Sequence, residues 1–471
     1  MESLSKTELL AKCTTLGITK CKSKTKPELI ALINSASLIK VIPLTADKDE
    51  DEEEDNDSDS VSSDSTIEIE CKKECKKESN TKLPEYKYID LFCGIGGFHQ
   101  ALNKLGAKCV LACDIDNDCR VVYKDNYGIE PVSNVKEIDE KTMVDFDILC
   151  AGFPCQSFSN GGKKKCFEDD RGLLFDEIVR IAKYKQPKYM FLENVKHILK
   201  VGDGEVIEYI KKKIASIGYH LQLFNISPHQ YGIPQQRERV YFVCIRNDIY
   251  NGKDIVLPIY QGKIEFNKFL DKKEDIVDKY FIKGDILNVL EAWDLMIKQF
   301  DTDEKISPTI MMNDAFKKYT KEEFNKFPSW KQDYITKNRP LIQKYKTEFE
   351  EWYQIYSSLL QKREIYGKLE WQTGPIKEDD SIFNHFIQLR QSGIRVKKGK
   401  YFPTLVAISQ IPIYGKEKRY ITPRECARLQ SFPETFKLPI EDKKSYKQLG
   451  NSVNVDNVYT VISSTLKEYI I

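Results

Sequence analysis

The stretch that decides the fold is YIDLFCGIGGF, residues 88–98, in which an apolar run passes directly into a glycine-rich turn. The run predicts a buried strand, and the glycines allow a tight turn that passes close to a ligand before a helix begins. Asp114, about 20 residues further on, ends the next predicted strand, where a carboxylate can hydrogen-bond a ribose diol. By themselves these two features leave open whether an adenosine-containing cofactor binds here.

Further short apolar runs alternate with amphipathic stretches from Tyr86 to about Arg246. Runs that are apolar on both faces are typical of strands covered by helices on both sides. The pattern predicts a doubly wound α/β sheet with ligands at the carboxyl ends of the strands. The predicted strands are 88–93, 109–115, 147–152, 189–194 and 240–246, and the predicted helices include 175–184 and 206–217.

Two reactive groups follow strands of this sheet. Cys155 lies in the turn GFPCQS (152–157), and Glu193 comes at the end of the strand 189–194. Because parallel strands end at the same edge of a sheet, we expect the thiol and the carboxyl group to share one cleft. A lone cysteine in such a turn is more often structural, so the functional interpretation depends on its pairing with Glu193.

Six motifs, in order along the chain, resemble those of the DNA (cytosine-5)-methyltransferases. That family has a Rossmann-like S-adenosylmethionine domain and a smaller target-recognition lobe, with double-stranded DNA in the cleft between them. The resemblance extends from Tyr86 to the C-terminus, and the irregular segment 250–395 falls where the family carries its variable recognition region. The motifs are DLFCGIGGF (90–98), GFPCQSFS (152–159), ENV (193–195), QQRER (235–239), RECARLQSFP (424–433) and GNSV (450–453).

The resemblance implies four catalytic residues. Cys155 would attack cytosine C6, which makes C5 nucleophilic enough to accept a methyl group, and Glu193 would contact N3 and the exocyclic amine. Arg239 would hold the cytosine O2, and Arg237 would support the same end of the site. A free thiol is only a few per cent ionised at neutral pH, so both arginines are also expected to favour the thiolate. The target base would be flipped out of the duplex, with the loop 156–165 closing on the DNA.

The resemblance also implies a pocket for S-adenosylmethionine. Its glycines would allow close approach of the backbone, Phe92 would offer an apolar face, and Asp114 would hold the ribose hydroxyls. Ile115 and Asn134 depart from the family pattern, because relatives often have a large side chain and an acid there, so we expect weaker cofactor binding at most. The residues expected in this pocket are Phe92, Gly94, Ile95, Gly97, Asp114, Ile115, Asn134, Leu174, Asn451 and Val453.

Charge is distributed unevenly along the 471 residues. The chain has 73 basic and 72 acidic residues, yet thirteen acids and one lysine lie between Asp47 and Glu70. The remainder is therefore basic, as binding to nucleic acid requires. Two predicted helices in residues 1–40, separated by a lysine-rich loop, resemble the SAP family of DNA-binding modules. The alternative is a helical hairpin with solvated lysines.

The sequence predicts a reduced, intracellular protein. Its thirteen cysteines are odd in number, no run of 18 apolar residues occurs, and the first residues do not resemble a signal peptide. No C-x-x-C pair is present, so no structural zinc is expected. The predicted division of the chain is 1–40 SAP-like module, 41–85 acidic disordered linker, 86–249 and 396–471 catalytic domain, and 250–395 target-recognition region.

The leading hypothesis is a monomeric enzyme that methylates C5 of cytosine in a specific double-stranded DNA sequence. One branch of the family modifies transfer RNA, so an RNA cytosine-5 methyltransferase is the second hypothesis, and a catalytically silent DNA-binding scaffold is the third. The large recognition region favours DNA, and the presence of Cys155, Glu193 and Arg239 argues against a scaffold. The residues decide neither the recognised bases nor whether a cognate restriction endonuclease is a partner.

Overall fold

The computed structural model describes residues 4–15, 24–27, 29–30, 39–41, 85–154, 173–307, 309–407 and 410–469. Within these ranges the strands form one seven-stranded and one six-stranded sheet. The predicted α/β class is confirmed. The α-helices are α1 Lys6–Thr15, α2 Gly97–Lys104, α3 Asn117–Tyr127, α4 Leu173–Lys185, α5 Glu205–Ser216, α6 Gly284–Ile297, α7 Met312–Ala315, α8 Lys321–Asn325, α9 Ser329–Lys344, α10 Lys346–Gln361, α11 Pro423–Leu429, α12 Asp442–Asn451 and α13 Val455–Glu468.

The seven-stranded sheet has the order β1-β6-β7-β5-β4-β2-β3. Its pairs are parallel except that β7 runs antiparallel to both of its neighbours. The five predicted strands are present with shifted ends, whereas β1 and β6 are not among the predictions. The strands are β1 Ile39–Val41, β2 Lys87–Leu91, β3 Lys108–Cys113, β4 Ile148–Ala151, β5 Tyr189–Val195, β6 Tyr219–Ile226 and β7 Arg239–Arg246.

Helices cover both faces of this sheet, as the doubly wound prediction requires. On one face Tyr88 packs in a core with residues of α2, α11 and α13. On the other face its neighbour Ile89 packs with residues of α4 and α5. Because successive strand residues point to opposite faces, both sides of β2 are buried. The carboxyl ends of β2, β4 and β5 therefore remain as the edge at which a ligand can bind.

The six-stranded sheet forms a second core with α6, α9 and α10. Its order is β13-β12-β10-β11-β9-β8. Two of its strands, β12 and β13, follow residue 395, where the predicted recognition region ends, and the division into domains stays a prediction. The strands are β8 Thr309–Met311, β9 Lys368–Gln372, β10 Phe386–Arg390, β11 Gly393–Lys397, β12 Ile413–Tyr414 and β13 Arg419–Tyr420.

Two helix predictions have different outcomes. The three- and four-residue spacing of apolar residues after Pro340 predicts one core-packed helix of about 23 residues that begins there, but Pro340 lies inside α9, and α9 and α10 are separated at Tyr345, whose φ is −106° and ψ is 36°. The apolar stripe of this segment does pack in the core, as predicted. The sequence Thr422-Pro423 predicts an N-cap followed by the first helical residue, and the structure confirms it: the Thr422 side chain accepts from the Glu425 amide, while Glu425 accepts from the Thr422 amide, at the start of α11.

The N-terminal segment is described only in part. Leu9 of α1 and Leu29 are both fully buried, and they belong to the same small hydrophobic cluster. The lysine-rich loop lies mostly outside the described residues, so the SAP-like module stays a prediction. The acidic linker between Val41 and Glu85 and the loop 156–165 also lie outside the described residues, so they too stay predictions. Residues 39–41 nonetheless add β1 to the sheet, parallel to β6.

Two further properties concern the whole described part of the chain. Among its helices, none combines the length and the apolar character needed to cross a membrane. The seven cysteines whose side chains are described carry free thiols.

Candidate active site

The glycine-rich turn after β2 has a left-handed backbone at Phe92, Gly94 and Gly96, with φ of 55°, 53° and 86°. A bulky residue rarely adopts positive φ, so Phe92 is held in a strained conformation by its surroundings. A Cβ at Gly96 would lie 2.4 Å from the ring of Tyr127. The Tyr127 hydroxyl donates to the carbonyl oxygens of Ile95 and Gly96, each at 3.1 Å. The Tyr127 side chain therefore holds the glycine-rich turn in place.

Asp114 fixes the same turn from the neighbouring strand. Its Oδ2 accepts from the Gly94 amide at 2.7 Å, and its Oδ1 accepts from the Asp116 amide at 2.8 Å. Burial raises the pKa of Asp114, and these two amide bonds oppose the rise. A carboxylate has about four lone-pair directions, which leaves two for ribose hydroxyls. Ile115 is 81% exposed and presents apolar surface beside it. A ribose and an adenine fit these residues.

The turn around Val453 packs directly on the glycine-rich turn. A Cβ at Gly97 would lie 2.5 Å from Val453 Cγ2 and 3.0 Å from its carbonyl oxygen, so the contact depends on glycine. A Cβ at Gly152 would lie 4.0 Å from the Phe92 oxygen, from Val453 Cγ1 and from Glu193 Oε2. The structure thus brings Phe92, Gly97 and Val453, predicted for the cofactor, next to the predicted catalytic carboxyl group.

Four other predicted cofactor residues are less directly placed. The Ile95 side chain is buried in the core, so only its backbone faces the turn. Asn134 Oδ1 already accepts from the Lys136 amide at 3.1 Å, which uses one of its two lone pairs. Leu174 packs on the core beneath α4, and Asn451 is exposed at the end of α12. Their roles stay predictions.

Glu193 and Arg239 meet at the carboxyl end of β5. The two strands pair so that Val195 opposes Arg239 and Glu193 opposes Tyr241. Glu193 Oε1 lies 3.1 Å from Arg239 Nε, and both side chains are largely buried. Burial raises the pKa of Glu193, while Arg239 and then Arg237 oppose that rise. A carboxyl group with raised proton affinity is suited to share a proton with a substrate nitrogen near neutral pH.

Arg237 has a different place from Arg239. Its guanidinium is buried and donates to three backbone carbonyls, those of Leu405 at 2.6 Å, Gly450 at 2.9 Å and Ser452 at 2.8 Å. Burial, and then Arg239, lower its pKa to about 9, so it stays charged at neutral pH. Arg237 therefore holds the turn around Val453, and its geometry is that of a positioning residue.

The chain that leads to the predicted nucleophile is anchored beside Glu193. Asn194 Nδ2 donates to the Phe153 carbonyl at 2.9 Å, and the amide of Val195 donates to Asn194 Oδ1 at 2.9 Å. The anchored carbonyl is two residues before Cys155. Cys155 itself lies outside the described residues, so its distance from Glu193 is not part of this geometry.

Two ion pairs in this region are absent from the sequence predictions. Lys447 Nζ lies 2.7 Å from Asp116 Oδ2, and Lys444 Nζ lies 2.8 Å from Asp118 Oδ1. They join α12, which ends at Asn451, to the segment that follows Asp114. Their signal in the sequence is weak, because two lysines three residues apart occur on many solvated helices.

Comparisons with known proteins decide the family. The model of the family described as C-5 cytosine-specific DNA methylase matches residues 86–467. The chain belongs to this family. It is 32% identical over 376 residues to the Type II methyltransferase M.HhaI of Haemophilus parahaemolyticus, covering 80% of this chain and 92% of that protein. It is 33% identical over 396 residues to M1.ScrFI of Lactococcus lactis subsp. cremoris, covering 82% and 80% of the two chains.

A solved structure supports the fold alone. It is that of a DNA modification methyltransferase encoded within a prophage of E. coli, and it aligns with a TM-score of 0.51 and 20% identity over 82% of this chain and 99% of its own. Membership of the C-5 cytosine-specific DNA methylase family makes the protein an S-adenosylmethionine-dependent DNA (cytosine-5) methyltransferase. The predicted class of enzyme, fold, cofactor and DNA substrate are thereby confirmed, and the scaffold hypothesis is not needed.

Proposed function

We propose that this methylase acts on a cytosine flipped out of a specific double-stranded DNA sequence, through a covalent bond between Cys155 Sγ and C6. The observation that carries the proposal is the buried carboxyl group of Glu193, held by Arg239 and next to the anchored chain that leads to Cys155. Extrusion of the base is required because C5 and C6 are inaccessible in a stacked duplex.

The proposed reaction has three steps. Attack of the Cys155 thiolate on C6 moves electron density to C5, while Glu193 shares a proton with cytosine N3 and so limits the charge that builds up on the ring. C5 would then take the methyl group that S-adenosylmethionine supplies, as the bond between that carbon and the sulfonium breaks and S-adenosylhomocysteine leaves as a neutral thioether. Loss of the C5 proton to water and cleavage of the bond between Sγ and C6 regenerate the thiolate. Arg239 would hold the cytosine O2 throughout.

The proposed cofactor site is the surface formed by the glycine-rich turn. Asp114 would accept the ribose hydroxyls, and Ile115 would cover one face of the adenine. Phe92 and Val453 would bound the pocket on the side of Glu193, where methyl transfer takes place. Arg237 would keep Val453 in place through its three carbonyl contacts.

The biological setting is part of the same proposal. Curated relatives carry names of Type II methyltransferases, which supports a role in restriction and modification, with a cognate endonuclease as partner. We propose that the enzyme acts as a monomer inside the cell and that residues 250–395 recognise the target sequence. The SAP-like residues 1–40 would bind DNA without sequence preference.

Bisulfite sequencing of a plasmid from cells that express the protein tests this function, with the Cys155→Ser variant as control. We expect protected cytosines in one short motif, and none with the variant. Uniform conversion in both samples, with a folded protein that binds S-adenosylmethionine, would contradict the DNA reaction. Protection that persists with Cys155→Ser would contradict the assigned nucleophile.

A further inference from the structure

One face of the six-stranded sheet is apolar, and the opposite, polar face carries a row of polar residues beside Phe386, which packs in the core of the seven-stranded sheet. On the apolar face Leu369, Ile394 and Val396 pack in the core with α6, α9 and α10. The residues that alternate with them point to the opposite side. Across neighbouring strands these residues form a row, because Gln388 opposes Arg395, Arg395 opposes Glu370, and Glu370 opposes Thr309. Three members of this row, Thr309, Glu370 and Gln388, are buried although they are polar.

An ion pair fixes the orientation of the arginine in this row. Arg395 Nε lies 2.8 Å from Glu370 Oε2, and Gln372 Nε2 donates to Glu370 Oε1 at 2.6 Å. The Glu370 side chain is 9% exposed, whereas that of Arg395 is 24% exposed. Among the described residues, neither Nη1 nor Nη2 of Arg395 has a hydrogen-bond partner. Nη1 and Nη2 are therefore available to donate to a ligand, and the ion pair fixes the orientation of the guanidinium.

The polar face adjoins the wall of the active site. Lys397, two residues after Arg395 on the same face of β11, donates to Gln236 Oε1 at 2.5 Å. The Gln236 amide donates to the Phe402 carbonyl, and Thr404 donates to the Gln236 carbonyl. Gln236 is three residues before Arg239. Two strand residues span roughly 7 Å, about two base-pair steps of 3.4 Å, so Arg395 lies within reach of base pairs close to the target.

We propose that Arg395, oriented by Glu370, reads a guanine of the recognition sequence in the major groove, through Nη1 and Nη2 to its O6 and N7. This inference rests on the proposed function and adds a residue that determines sequence specificity. An arginine fork matches the two acceptors of guanine, which no other base offers in that arrangement. Glu370 acts as the positioning residue.

The ion pair favours a base over a phosphate as the partner. A phosphate contact gains from an uncompensated positive charge and needs little orientation. Glu370 neutralises the charge of Arg395 and restricts its rotamer, while leaving the N–H groups of both Nη1 and Nη2 free to donate. Lys398, exposed directly after the same strand, has the character of a phosphate contact, and Arg395 does not.

The first experiment compares recognition motifs by bisulfite sequencing for the wild type, Arg395→Ala and Arg395→Lys, with Arg339→Ala as the matched control. Arg339 is an exposed arginine on α9. We expect both Arg395 variants to lose preference for guanine at one position by roughly ten- to a hundredfold, because lysine lacks the fork. The control should keep the wild-type motif.

A second experiment uses duplexes in which one guanine of the motif at a time is replaced by 7-deazaguanine, which lacks the N7 acceptor. Wild-type kcat/KM should fall at one position, and Arg395→Ala should be insensitive there. Arg395→Met/Glu370→Gln, which leaves no buried charge unpaired, should behave as Arg395→Ala and guards against a folding defect. Glu370→Gln should weaken the preference for guanine more than it lowers kcat.

Three results would overturn the inference. One is an unchanged motif in both Arg395 variants and in the double variant. Another is a motif without guanine. The third is an equal loss of affinity for all sequences, with the slope of log K against log salt reduced by about 1, which would make Arg395 a phosphate contact. Failure of the proposed function is distinct, because the wild type itself would then methylate no motif.

Discussion

Glu193 and Arg239 form an ion pair between two antiparallel strands, with Oε1 3.1 Å from Nε and side-chain exposures of 10% and 14%. Burial and the neighbouring guanidinium act in opposite directions on the pKa of Glu193. Burial favours the neutral acid, and the guanidinium favours the carboxylate. A group balanced in this way can gain a proton as charge builds on a bound base and release it afterwards.

The first prediction concerns catalysis. Glu193→Gln should lower kcat by roughly 10² to 10⁴-fold, because the amide cannot supply a proton to cytosine N3. Binding of S-adenosylmethionine, measured by calorimetry, should change little. Glu208→Gln, which removes a carboxyl group paired with a lysine on the surface of α5, is the control and should keep wild-type activity. Full activity of Glu193→Gln would remove Glu193 from the mechanism.

The second prediction concerns stability, which Glu193→Gln should increase at pH 7.5 although the same substitution lowers activity. The folded-state pKa of Glu193 is raised, so its ionisation costs stability as the pH rises from about 4.3, the ordinary value, through that raised pKa. Glu193→Gln resembles the protonated acid and avoids this cost. Its melting temperature should therefore exceed that of the wild type at pH 7.5, and the difference should shrink as the pH approaches 4. A lower melting temperature at pH 7.5 would contradict the raised pKa.

The third prediction concerns Arg237. Arg237→Lys should destabilise the protein by about 2–4 kcal/mol, because the compact ammonium cannot span the carbonyls that Nη1 and Nη2 reach separately, and each carbonyl left unpaired costs roughly 1–3 kcal/mol. Affinity for S-adenosylmethionine should fall as the turn around Val453 loosens. Urea unfolding and calorimetry measure the two effects. Arg339→Lys, at an exposed position of α9, should change stability by less than about 0.5 kcal/mol.

The fourth prediction tests the contact between the two turns. Gly97→Ala would place a methyl group 2.5 Å from Val453 Cγ2, so one turn must move, at a cost of roughly 1–3 kcal/mol. Cofactor affinity should fall with it. In Gly367→Ala the nearest atom, Asn313 Oδ1, is 4.0 Å away, and that variant should bind cofactor normally. Equal affinity in the two variants would show that the turns separate without consequence.

The fifth prediction concerns the N-terminal segment. Deletion of residues 1–35 removes α1 but keeps β1, so the sheet edge at β6 stays paired. DNA affinity at moderate salt should fall, whereas the methylated motif should be unchanged. A fluorescence anisotropy titration against salt and bisulfite sequencing provide the two readouts. Unchanged affinity would reject the SAP-like assignment.

The sequence predicts five strands with long apolar runs and misses, among others, the more polar β6. In β6 the buried Gln222 interrupts the apolar pattern, but its side chain pairs with both backbone groups of Ile255, at 3.0 Å and 3.1 Å. The Gln222 side chain thus bonds to the Ile255 backbone as a neighbouring strand would, and no pattern of residues predicts this contact. The break at Tyr345 is equally hidden, because the apolar spacing continues through it.

For the candidate site, the motifs predict which residues cluster but not how each is used. Glu193 and Arg239 are paired as their motifs imply. The motif that contains Arg237 predicts a role at the substrate. Its guanidinium instead donates to backbone carbonyls of segments more than 160 residues away along the chain. Contacts of that kind depend on the folded arrangement, and so does the placement of Glu370 beside Arg395.

The pairing of β1 with β6 changes the reach of the N-terminal helix. Only eight residues separate Ile30 from Ile39, against 54 between Ile30 and Glu85. At about 3.5 Å per residue, the shorter tether extends no further than roughly 30 Å from the sheet edge. A DNA-binding segment tethered this closely acts at a local concentration in the millimolar range. Even a weak affinity for the duplex would then keep the enzyme on DNA between one target and the next.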